Sequence, residues 1–208
     1  MKKGLRKGQM FMIAGILILV GFLMLKSMLS VYQTVEEKTT EESELVDRQI
    51  KNIIKEYEMT LGFGSLQADP NQSTLEYLVN FTKYLESDMT IEVLFVYAFY
   101  DNTTGNYTVN IGNFLDDKIN CTINTTNPTN SDTFNLADEK NYTKEFNTTS
   151  TSSDITLTYG FRGQDRKERI TVETGNQNFT IGFFDVNIRK DNIVMRAKQT
   201  YNRTWAIN

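Results

Sequence analysis

Apolar residues run unbroken from Met10 to Leu25, then thin to helical spacing, and past residue 90 fall into strict alternation. The unbroken run holds no charge, no Asn or Gln and no proline. At about 1.5 Å per residue it predicts a helix of roughly 24 Å, slightly short of the roughly 30 Å of bilayer hydrocarbon. Lys26 can keep its stem in lipid while its ammonium reaches water, and Met28, Leu29, Val31 and Tyr32 prolong the apolar surface. Residues 33–61 contain neither Pro nor Gly and continue the helix. They are polar all round from Glu36 to Glu44, a solvated stretch. Val46, Ile50, Ile53, Ile54 and Tyr57 then form a stripe that predicts a core-facing side. Gly62-Phe63-Gly64 ends the helix.

Asp69-Pro70-Asn71 reads as a turn. Ser73 with Glu76 makes a capping-box pattern, opening a second helix to about Ser87 with Leu75, Leu78, Phe81 and Leu85 on one face and Asn80 well off it. The period then becomes two. Ile91, Val93, Phe95, Tyr97 and Phe99 line one side of a strand and Leu94, Val96 and Ala98 the other, as in a central strand buried on both faces. Asp101–Gly105 is a hairpin turn to a returning strand with Tyr107, Val109 and Ile111. Residues 116–153 are crowded with Asn, Thr, Asp and Ser. They predict a long surface excursion, disordered in part, with short strand pieces near Ile119–Ile123 and Phe134. Ile155–Phe161, Ile170–Val172, Phe179–Phe183 and Ile193–Tyr201 alternate again. Asn178 and Thr180 fall on the polar phase, and Phe183-Phe184 suggests a bulge near Gly182. About six strands result, mostly antiparallel because the links are too short for helical crossovers.

The expected fold is therefore α+β: a long N-terminal membrane-anchored helix, a short second helix, and a mostly antiparallel β-sheet or β-sandwich head. The divisions are a basic leader at 1–8, an anchor at 9–32, an extramembrane continuation at 33–64 and a head at 65–208.

Charge orients this scheme. Lys2, Lys3, Arg6 and Lys7 precede the apolar run, while Glu36, Glu37, Glu41, Glu42 and Glu44 follow it. Basic residues stay on the cytoplasmic side, which leaves the head outside. A cleaved secretory signal is the rival, but Lys-Ser-Met-Leu-Ser-Val after Leu25 offers no small-x-small site. A buried core helix is the plainer alternative, and a wholly apolar helix behind four cations is hard to place in a small soluble domain. Ten Asn-x-Ser/Thr sequons, at Asn71, Asn80, Asn102, Asn106, Asn120, Asn124, Asn141, Asn147, Asn178 and Asn202, all lie beyond the run. They predict N-linked glycans on the external side. Asn127 fails because Pro128 follows.

The basic leader, Lys7-Gly8-Gln9 and the apolar helix together resemble the class III signal peptide of archaeal type IV pilin-like proteins. The resemblance covers roughly the first thirty residues. It implies cleavage by a prepilin-type peptidase after Gly8, Gln9 as the new N-terminus, and an apolar helix retained as anchor and assembly surface against copies of itself or other pilin-like subunits. Ile13 stands where many members carry glutamate, a departure that bears on filament assembly and not on anchoring.

Catalytic groups are sparse. The chain has no histidine, which removes Ser-His-Asp and Cys-His catalysis and nearly all catalytic zinc sites. No glycine-rich phosphate loop or other cofactor motif is present, and a formal charge of −4 argues against nucleic acid as a partner. Cys121 is the only cysteine, so no intrachain disulfide forms. A structural thiol is its simplest role, with an intermolecular disulfide as the alternative. Asp116-Asp117 and Asp101–Gly105 are weak calcium-loop candidates for which solvated turns suffice. Asp165–Arg169 is a charge cluster expected in a solvated hairpin. The expectation is a membrane-anchored, glycosylated surface protein of structural or adhesive role, not an enzyme. The alternatives are an anchored envelope protein that binds a ligand or partner without polymerising, and an anchored hydrolase using a carboxylate pair.

Overall fold

Among the described residues two helices precede nine strands: α1 (Lys3–Gly64), α2 (Pro70–Asp88), β1 (Ile91–Asp101), β2 (Asn106–Phe114), β3 (Ile119–Thr126), β4 (Thr129–Leu136), β5 (Lys140–Asn147), β6 (Ser152–Phe161), β7 (Gln164–Glu173), β8 (Asn178–Lys190) and β9 (Ile193–Trp205). The computed structural model describes residues 3–64, 66–88, 90–148, 150–190 and 193–205, with their side chains except at 3–11, 13–16, 33–37, 39, 86–88 and 205. The chain divides into two compact units, Met1–Leu45 and Val46–Asn208.

The first unit is helical. Leu17, Ile18, Leu19, Val20, Phe22, Leu23, Met24 and Leu25 are all exposed on it. Among the described residues no helix is long and apolar enough to cross a membrane. The side chains of Gly8, Gln9, Ile13 and the start of the apolar run lie outside the described residues.

The second unit is α+β in three layers: helices, a five-stranded sheet ordered β5-β2-β1-β8-β9, and a four-stranded sheet ordered β4-β3-β6-β7. All strand pairs are antiparallel. β1 explains the layering. Its odd residues Ile91, Val93, Phe95, Tyr97 and Phe99 join Val46, Ile50, Ile53, Ile54, Tyr57 and Leu61 of α1 in one core. Its even residues Leu94, Val96, Ala98 and Tyr100 join Ile119, Cys121 and Ile123 of β3 and Ile155, Leu157 and Tyr159 of β6 in the other. Each large side chain buried this way contributes about 1.5–3 kcal/mol, so a strand covered on both faces anchors both layers.

Tyr57 ties α1 to its surroundings. Its ring stacks on Phe184 at 4.5 Å and meets Phe81 edge-on at 5.0 Å. Its hydroxyl shares a hydrogen bond of 2.8 Å with Thr82 of α2. Gly64 closes α1 where α2 comes near, since a Cβ there would lie 2.8 Å from the Thr74 Cα.

Five expectations change. First, α2 begins at Pro70 instead of near Ser73, because Asp69 is the cap: its Oδ1 accepts the Gln72 N–H at 3.0 Å, with proline at the first helical position. Second, residues 116–153 hold three strands, β3, β4 and β5. Thr is β-branched and suits a half-buried sheet, and the exposed residues of β3 alternate with buried Ile119, Cys121, Ile123 and Thr125. Third, the strands therefore number nine among the described residues. Fourth, β8 pairs with β1 in unbroken register through Tyr97↔Gly182 and Phe95↔Phe184, so no bulge exists there. Phe183 and Phe184 are both apolar because β8 is buried on both faces. Fifth, Asp165–Arg169 lies within β7, and the turn is Arg162-Gly163, both at positive φ (52° and 72°).

Candidate functional site

The sequons divide by exposure. Asn80, Asn120, Asn124, Asn141, Asn147 and Asn202 are exposed. Asn120 and Asn124 project from β3 on the side away from the core. Asn141 and Asn147 lie on β5 and Asn202 on β9, so both margins of the five-stranded sheet carry an exposed sequon. Asn71, Asn102 and Asn106 are half-buried and already engaged. Asn71 Oδ1 accepts from Asn110 Nδ2 at 3.0 Å, Asn102 Nδ2 donates to the Asn176 carbonyl at 3.0 Å and Asn106 Nδ2 donates to Glu145 at 2.5 Å. Asn178 is 1% exposed and Thr180 is buried beside it, contrary to the polar side expected from alternation. β8 is an interior strand, and Asn178 Oδ1 accepts the Asn102 backbone N–H at 2.9 Å.

A second constellation draws Arg166 and Glu168 of the expected charge cluster onto β8 and β9. Asp185 of β8, 2% exposed, lies at the end of the space between the sheets. Arg196 of β9 grips it through a two-pronged contact, Nε to Oδ1 at 2.6 Å and Nη2 to Oδ2. From the facing sheet the Tyr159 hydroxyl donates to Oδ2 at 2.7 Å and Arg166 approaches to 3.4 Å. Nearby, buried Glu92 receives Arg162, the Asn187 amide at 2.6 Å and the Arg189 guanidinium at 3.0 Å. Lys198 contacts Glu168. Arg162 and Arg166 also stand over the Phe161 ring, 4.9 and 4.7 Å from its centre.

The charges explain the electrostatics. Burial pushes the Asp185 carboxyl up, but the Arg196 and Tyr159 hydrogen bonds and the Arg196 charge outweigh it and hold it below the usual carboxylate range. Burial, with the Asp185 charge, raises the Tyr159 hydroxyl, which stays a donor. Asp185 is thus a saturated ion acceptor that clamps two sheets, not a group poised to exchange protons near neutrality. A lone Asp inside the apolar run Phe183-Phe184-Asp185-Val186 was the signal in the sequence, because a buried carboxylate requires cations beside it.

A third feature is a groove of about 540 Å3 between the end of α1 and α2, lined by Thr60, Phe63, Gln67, Tyr77, Asn80, Phe81 and Tyr84. Tyr77 and Tyr84 are 45% and 67% exposed. Spaced at i, i+3 and i+7, Tyr77, Asn80 and Tyr84 share one helix face.

Cys121 is fully buried, and burial pushes its thiol up to about 12, which suppresses the nucleophilic thiolate. Asp116 and Asp117 are exposed in the β2–β3 link. Among the described residues no group of three or more His, Cys, Asp or Glu side chains is arranged to hold a metal ion. Compared with known proteins, the chain matches no family model and no curated protein.

Proposed function

We propose that this chain is a membrane-anchored, N-glycosylated cell-surface protein of structural or adhesive role, a pilin-like subunit. Residues 1–8 are a leader removed between Gly8 and Gln9 by a prepilin-type peptidase. The helix at 9–32 stays in the bilayer with its N-terminus cytoplasmic, and the β-rich head faces outward with glycans on its exposed sequons. The observation that carries this reading is the stretch Leu17–Leu25 of α1, apolar and exposed around the helix. Such a helix is stable in lipid or against other apolar helices, and not in water. The exposed sequons on β3, β5 and β9 support an outside address for the head.

Mass spectrometry of the full chain purified from its own host tests the processing. A mature N-terminus at Gln9 is expected. An intact Met1, or a start after Ser27 or Ser30, overturns the pilin-type maturation. Microscopy of surface filaments then separates a polymerising subunit from a solitary anchored head.

A further inference from the structure

The groove between α1 and α2 carries a glycan acceptor on its own wall. Asn80 lines it and opens a sequon, Asn80-Phe81-Thr82. Tyr77 stands one turn before Asn80 and Tyr84 one turn after it, both exposed on the same face. Phe63 of α1, also exposed, forms the opposite wall. Pyranose rings present a face of C–H bonds that packs on aromatic rings, while their hydroxyls seek polar groups, here Thr60 and Gln67 at the margin. A site lined mainly by aromatic side chains with a few polar ones, within the range of about 300–1,000 Å3, is the usual form of a small-ligand pocket.

We propose that this groove seats the first sugars of an N-linked glycan carried by Asn80 of the same chain. The seat rests on the glycosylation proposed above and goes beyond it by giving one glycan a fixed position. Tethering favours this occupant over a free one. A sugar bonded to the groove wall meets the rings at a high effective concentration and loses little translational freedom on docking. The same sugar blocks a second copy from entering. Thr82 is buried, with its hydroxyl bonded to the Leu78 carbonyl at 2.7 Å, so transfer to Asn80 precedes the closing of α2 on α1.

The test uses the full chain from its glycosylating host, with Asn80→Gln and the pair Tyr77→Ser/Tyr84→Ser, alone and combined. Glycopeptide mass spectrometry reads occupancy and thermal melting reads docking. Occupied Asn80 is expected, and Asn80→Gln should lower Tm by about 2–4 °C, the shift of a single side-chain contact in a domain of this size. The same substitution in the Ser/Ser background should leave Tm unchanged. An equal loss in both backgrounds overturns the seat. A bare Asn80 beside occupied Asn120 or Asn141 overturns the seat and leaves the glycoprotein intact, whereas no glycan anywhere removes both. Bare Asn80 with self-association that the Tyr substitutions abolish assigns the groove to a second copy instead.

Discussion

The Tyr159 hydroxyl of the four-stranded sheet donates to the Asp185 carboxylate of the five-stranded sheet at 2.7 Å. It is a direct polar bond between the two layers, and the Arg196 fork completes the acceptor's shell. Tyr159→Phe should cost about 1.5–3 kcal/mol, the range for a hydrogen bond to a charged group. Asp185→Asn should cost about 3–5 kcal/mol, because it leaves Arg166 and Arg196 without their countercharge. Urea unfolding of each variant at neutral pH checks both figures.

The same carboxylate sets an acid limit. Its folded-state pKa lies below its unfolded value, so its contribution is complete above the ordinary Asp value of about 3.9. It is lost as pH falls from there through the lower folded value, where the unfolded chain takes up the proton first. Unfolding free energies measured from about pH 6 down to pH 2 should decline more steeply for the wild type than for Asp185→Asn. Parallel slopes would show that other carboxylates govern the acid limit.

Gly112 of β2 lies under the Phe95 ring, and a Cβ there would come within 2.2 Å of two ring carbons. Phe95 is fully buried and stacks on Phe114 at 6.0 Å, so it has no room to yield. Gly112→Ala should destabilise by about 1–3 kcal/mol. Gly160→Ala, whose new methyl would meet only Asp165 Oδ1 at an ordinary 3.7 Å, should be neutral or stabilising by up to about 1 kcal/mol. Thermal melts of the two variants side by side separate the cases.

Cys121 should resist thiol reagents in the folded protein and react fully once denaturant exposes it, since its thiol is buried and pushed up to about 12. The fold favours the neutral thiol. Stability therefore falls as pH rises beyond the ordinary thiol value of about 8.5, where the unfolded chain ionises first. Rapid labelling under native conditions, or a disulfide-linked dimer on a non-reducing gel, would contradict this burial.

Glycopeptide mapping should find occupied sites among the exposed Asn120, Asn124, Asn141, Asn147 and Asn202, and an unmodified Asn178. A sugar on Asn178 Nδ2 would have to fit inside the head, where the side chain is 1% exposed. Recovery of a modified Asn178 from folded protein would contradict its burial in β8.

Much of this fold can be read from residue order, for a physical reason that also marks where reading fails. A strand buried on both faces or a helix with one apolar stripe announces itself through its own residues, as β1 and Val46–Tyr57 do. β4 and β5 do not, because their exposed residues are Asn, Thr, Ser, Lys and Glu, and those types alone also describe a loop. Their strand state comes from partners: Thr133 meets Thr122 across the ladder with hydroxyls 3.0 Å apart, and Tyr142 stacks on Phe134 at 3.7 Å. The charges of β7 mislead in the same way, since Arg166 and Glu168 face partners on β8 and β9 that sequence separation hides. Exposure of the sequons followed alternation where a strand has one open face, as on β3, and failed at Asn178, where both faces are covered.

The two sheets are joined by chain at several places: residues 115–118 and 137–139 at one end, 148–151 and 174–177 at the other. Among the described residues no crossover closes the corner where β8 and β9 run past the start of β7. Asp185, Glu92 and Glu168 with their cations hold that corner instead. The head is thus sewn along three corners and buttoned at the fourth. Protonating Asp185 removes the countercharge of Arg166 and Arg196, so acid weakens the buttoned corner of the sandwich first while the seams keep the layers together.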